Sequence, residues 1–154
     1  MEDIYKTPES SLESGAIGST ASSADYQLYK ISGIGIATFF GSILAGGFLM
    51  SRNYKKLGKD AAAMKALVYS TLATVAVLVI SFLIPEDLNI PNLAFTIPQI
   101  IVMVQLAKKK QGNDIDAHVA NGGALASDWK AFGISLLVIV ALMAAVFPIA
   151  MMFV

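Results

Sequence analysis

The chain has 154 residues, 56% hydrophobic and 14% charged, with a mean hydropathy of +0.67 and a formal net charge of zero. That composition excludes an ordinary water-soluble globule, which would carry large apolar patches. The absence of cysteine excludes disulfides, thiolate metal sites, a lipoprotein anchor and palmitoylation, and Met1-Glu2 lacks the glycine that myristoylation requires.

Residues 1–25 are rich in Ser, Gly, Glu and Ala, offer only Tyr5, Leu12 and Ile17 for burial, and read as a disordered polar tail. A cleaved signal peptide is the poorer reading, because no basic segment precedes the apolar run that begins at Ile31. Residues 26–154 read as one domain of an all-α membrane protein, a four-transmembrane-helix antiparallel bundle. Its spans are expected at about 31–50, 66–84, 90–107 and 131–154. At 1.5 Å per residue each covers a hydrocarbon layer of about 30 Å.

In the first span Gly33, Ala37, Gly41 and Ala45 recur every four residues, and Ser42, Gly46 and Gly47 widen the strip. Small residues at this spacing let helix backbones approach closely, a main source of helix association in lipid. The simplest expectation is an intrachain contact with the second or fourth helix. Homodimerisation or docking onto another membrane protein is the alternative. A third possibility is that the glycines permit a re-entrant helix, which would move the tail across the membrane and no other loop.

Gly58 is suited to end the first helix and Asp60 to cap the second. Asn89 and Pro91 mark the start of the third span, whose polar residues Asn92, Thr96 and Gln99 share one helical face and are expected to point into the bundle as interhelical hydrogen-bonding groups. Pro98 and Pro148 are expected to bend the third and fourth helices. Ser127 and Asp128 offer caps for the fourth after Gly122-Gly123. Tyr26, Tyr29 and Trp129 lie beside spans, where aromatic rings anchor at the headgroup level.

Nine of the eleven Lys and Arg residues fall in segments 51–65 and 108–130, and none between the second and third spans. The positive-inside rule places both basic loops in the cytoplasm and, with four full spans, both termini outside. Lys55, Lys56, Lys108, Lys109 and Lys110 are expected to meet anionic lipid headgroups, and nucleic acid is a remote partner for cations so placed.

No span contains Asp, Glu, Lys, Arg or His, which argues against a pump or an ion-coupled carrier. Asp114, Asp116 and His118 form a D-x-D-x-H cluster of loose metal-ligand spacing, better read as a solvated segment. No nucleophile elbow, P-loop or H-E-x-x-H pattern is present, so neither catalytic residues nor cofactors are expected.

The run Ala37-Thr38-Phe39-Phe40-Gly41-Ser42-Ile43-Leu44-Ala45-Gly46-Gly47, followed by Arg52-Asn53-Tyr54-Lys55-Lys56-Leu57-Gly58, resembles a small family of bacterial four-helix membrane proteins. The resemblance covers residues 36–58 and implies a bacterial inner-membrane location, but brings no activity with it. In that pattern Arg52, Asn53 and Tyr54 would cap the glycine ridge, with Arg52 and Tyr54 as interface anchors. The function expected is non-enzymatic: lateral helix packing with a membrane partner, as an accessory subunit or an immunity-type factor. The alternative is an oligomeric pore or small-solute conduit lined by Asn92, Thr96 and Gln99.

Overall fold

A computed structural model of the chain describes residues 25–85, 88 and 90–152; the tail expected over residues 1–25 lies almost wholly outside them. Four helices dominate: α1 (Ile31–Lys56), α2 (Asp60–Leu83), α3 (Leu93–Ala120) and α4 (Asp128–Ala150). Two short strands, β1 (Gln27–Tyr29) and β2 (Ala124–Ala126), pair in parallel, with Leu28 opposite Leu125. Among the described residues, three helical stretches are long and apolar enough to cross a membrane by length and composition: Ile31–Lys56, Asp60–Leu83 and Asp128–Pro148. In α3 the lysine run 108–110 arrives too soon after Leu93 for the helical part alone to qualify.

The first of these stretches is not a straight rod. Ser42 has φ 68° and ψ −179°, a conformation that interrupts the helix and reverses it. Beyond the reversal the returning arm lies against the outgoing one. A methyl group on Gly46 would strike Thr38 and come within 3.4 Å of the Ile34 carbonyl, although a continuous helix would hold Ile34 and Gly46 about 18 Å apart. At the open end, Tyr29 and Asn53 are hydrogen-bonded. The expectation of one straight span over 31–50 is therefore corrected: α1 is a hairpin of two half-length arms, about 16 and 21 Å long.

This hairpin is the core of the molecule. α2, α3 and α4 each pack principally on α1 and only sparsely on one another. Gly33 faces Ala131 of α4, Gly35 faces Val104 of α3, and Gly47 presses on Ser70 of α2. Ile34, Ala37, Ala45 and Leu49 are fully buried at the centre. Chain segment 25–30 consequently sits at the lysine-rich end of the bundle, where α1 leaves, α2 starts and α4 starts.

Gly58 ends α1 as expected, whereas α2 begins without the expected Asp60 cap. Gly58 (φ 70°) and Gly122 (φ 78°) adopt the left-handed turn after α1 and α3. In each case the next amide bonds back to complete the cap, Lys59 N–H to Tyr54 O at 2.8 Å and Gly123 N–H to His118 O at 2.8 Å. Asp60 is the first residue of α2, with Lys59 at the cap position. α3 runs far past the expected end at 107, so residues 108–120 of the expected basic loop are helical.

Candidate functional site

At the lysine-rich end the hairpin is closed by a buried polar network. Asn53 Oδ1 accepts the Tyr29 N–H at 2.7 Å, and Asn53 Nδ2 donates to the Tyr29 carbonyl at 2.9 Å and to Gln111 Oε1 at 3.2 Å. Gln111 Nε2 donates in turn to the Met50 carbonyl at 2.8 Å. Both amides are fully buried, so each polar atom needs these partners. Tyr54, 8% exposed, adjoins this network, and its burial raises the phenol pKa. Tyr54 is thus a buried residue beside the network, not the exposed anchor expected from its position.

Beside this network lies an open cleft of about 600 Å³, lined by Asp25, Tyr26, Gln27, Lys56, Ala124 and Lys130. Lys130 Nζ donates to Gln27 Oε1 at 2.8 Å, and Lys56 Nζ donates to the Gln27 carbonyl at 2.5 Å. Partial burial, with Arg52 and Lys130 nearby, lowers the Lys56 pKa. Arg52 stacks over Phe48 at 5.0 Å, and Trp129 is 79% exposed on the same end.

The D-x-D-x-H residues do not converge. Asp114 pairs with Lys59 at 2.7 Å, while His118 stacks on Tyr26 at a centroid distance of 4.9 Å and bonds the Ala124 carbonyl at 3.1 Å. His118 is 6% exposed and serves to hold the β1–β2 pair against α3.

The expected packing face Gly33, Ala37, Gly41 and Ala45 is buried within the chain, so its small residues serve the hairpin and its contacts with α4. The expected intrabundle face of α3 is corrected. Thr96 donates to Asn92 O at 3.0 Å and Gln99 to Phe95 O at 3.0 Å, both on their own helix, and Asn92 is exposed. The amides that do bridge elements are Asn53 and Gln111, which sequence reasoning left outside the spans. Their one signal was amide chemistry beside tyrosine and lysine at a helix end.

Apolar concavities lie elsewhere on the described surface. Far from the lysines, a groove of about 540 Å³ between α2 and α4 is lined by Leu78, Ile139, Leu142, Met143, Val146 and Phe147. It exists because the hairpin turns back at Ser42, beside Ser135, and does not reach that depth. A second groove runs between the returning arm, α2 and α3 toward the lysine-rich end. Comparison with known proteins returns no match to a protein family, a curated protein or a solved structure.

Proposed function

We propose that the chain is a non-enzymatic bacterial inner-membrane protein that acts by lateral helix packing, as an accessory subunit or an immunity-type factor. The observation that carries this reading is the half-depth hairpin. Because α1 reverses at Ser42, the outer halves of α2 and α4 stand over an apolar groove with no core helix between them. The occupant that fits is an apolar transmembrane helix of a partner protein: the lining is apolar throughout, and no lining residue is charged. The contact surface is therefore moved from the first helix, whose ridge is spent internally, to α2 and α4.

The same reading revises the topology. With α1 as a re-entrant element, α2 and α4 would cross the membrane, α3 would cross with an apolar part shorter than theirs, and residues 25–30 would share the cytoplasmic face with the lysine-bearing turns. The turn between α2 and α3 and the far end of α4 would then lie outside. This keeps the basic segments inside, as the positive-inside rule requires, and brings Lys30 into agreement with it. The stretch that resembles the bacterial family, residues 36–58, covers the tip and returning arm, so the shared feature would be the hairpin itself.

The conduit alternative draws less support, since Thr96 and Gln99 spend their donors on their own helix. Photocrosslinking in native membranes tests the preferred reading. A crosslinker at Leu78 or Met143 is expected to trap a second polypeptide species, and one at Ala37 is expected to trap none. Products at Leu78 and Met143 containing lipid alone would overturn it.

A further inference from the structure

We propose that the groove between the returning arm of α1, α2 and α3 is a binding site for one anionic phospholipid of the leaflet facing the lysine-rich end, an inference that rests on the membrane reading above. The deep part, about 210 Å³, is walled by Gly47, Ala66, Ser70, Val102 and Met103. The mouth, about 240 Å³, continues it past Met50 and Leu106 to Tyr54, Lys65 and Lys110. Both parts share Met50, Ala66, Tyr69 and Leu106, so they form one path from an apolar floor to a cationic rim.

The path has a structural cause. Gly47 presses directly on Ser70, which draws the returning arm and α2 together, while α2 and α3 make only sparse contact with each other. A slot the width of small side chains is left between them. The rim has a chemical cause. Lys65 comes from α2 and Lys110 from α3, and neither has an ion-pair partner among the described residues. Asp114, one helical turn beyond Lys110, is held by Lys59 at 2.7 Å and is not available to neutralise it. Two ammonium groups above a dry channel match a phosphate-bearing headgroup above an acyl chain, whereas a zwitterionic choline headgroup would bring a third cation to the rim.

Tryptophan quenching by brominated lipids tests the site in vesicles. The probe is Leu106→Trp, 42% exposed at the groove, in a Trp129→Phe background; the control is Leu136→Trp, 43% exposed on α4. Brominated phosphatidylglycerol is expected to bind at Leu106→Trp roughly five- to thirtyfold more strongly than brominated phosphatidylcholine, the factor that one to two lysines near a surface supply. The control is expected to show no preference, and Lys65→Gln with Lys110→Gln is expected to erase the preference at the groove. Equal quenching by the two lipids at Leu106→Trp, the same preference at Leu136→Trp, or a preference that survives loss of both lysines would each overturn the site. Absence of quenching by both lipids at both positions would instead overturn the membrane reading on which it stands.

Discussion

Asn53 clasps the backbone of Tyr29 from both sides, accepting its N–H at 2.7 Å and donating to its carbonyl at 2.9 Å, across 24 residues of intervening chain. One fully buried side chain thereby joins the two open ends of the hairpin and extends the link to Gln111 on α3. Its energetic weight comes from burial, since each of these groups would otherwise be left unsatisfied away from water.

Replacing Asn53 by Ala strands the Tyr29 amide and the Gln111 amide oxygen. The expected loss is about 2–4 kcal/mol, because an unsatisfied buried group costs about 1–3 kcal/mol and more than one is created. Lys59→Ala, which removes the exposed pair with Asp114, is expected to cost under about 1 kcal/mol. Thermal melts of the detergent-solubilised protein compare the two directly. An unchanged melting temperature for Asn53→Ala would show that the clasp holds nothing.

The hairpin fixes the side of the bundle on which residues 25–30 emerge, and the cysteine-free chain makes this directly measurable. Asp25→Cys and Lys110→Cys are expected to react with an impermeant maleimide from the cytoplasmic side only, and Met152→Cys from the outer side only. A straight first span, as its length alone suggests, requires Asp25→Cys to react from the outside. Labelling of position 25 from outside together with position 110 from inside would exclude the fold-back.

α2 and α4 were legible because their apolar runs are continuous; the α2 cap was not, since Lys59 stands at the place expected of Asp60 and makes no side-chain cap, whereas Ser127 Oγ accepts the Trp129 N–H at 3.2 Å at the start of α4. α1 was not, since hydropathy measures contour length and is blind to a reversal made by one residue. The glycines did carry the signal, yet Gly33, Gly41 and Gly47 serve equally well for a straight ridge and for two arms pressed together. Thr96 and Gln99 were misread for a related reason. A hydroxyl or amide on a helix can satisfy itself on the carbonyl four residues back, so a polar face does not by itself demand a partner helix. Asn53 and Gln111 lie beyond the apolar runs, where polar residues pass as ordinary surface, and their burial follows only from the fold-back.

Gly47 and Ser70 set the distance between the returning arm and α2. A methyl group at position 47 would overlap both side-chain atoms of Ser70, so Gly47→Ala is expected to cost about 1–3 kcal/mol as an overpacked contact. Ser70→Gly opens the needed space at a cost of its own, about 0.5–1 kcal/mol for glycine inside a helix. The double variant is expected to be more stable than the sum of the singles predicts, by about 1 kcal/mol or more. Strict additivity in the four-way comparison would mean that these residues do not touch.

Ser42 distinguishes the hairpin from a straight helix by the sign of a single substitution. A non-glycine residue at φ 68° and ψ −179° stores backbone strain of order 1–3 kcal/mol, since this region is open in practice only to glycine. The serine hydroxyl recovers little of it, because its contact with the Leu44 amide is long at 3.4 Å. Ser42→Gly is therefore expected to stabilise the protein by about 1 kcal/mol, and Ser42→Val to destabilise it by a comparable amount. In a continuous helix the order is reversed: glycine would cost about 0.5 kcal/mol relative to serine, and valine would be nearly neutral. Unfolding titrations of the three proteins in mixed micelles decide between the two geometries, because a loss of stability in Ser42→Gly is incompatible with a turn at this residue.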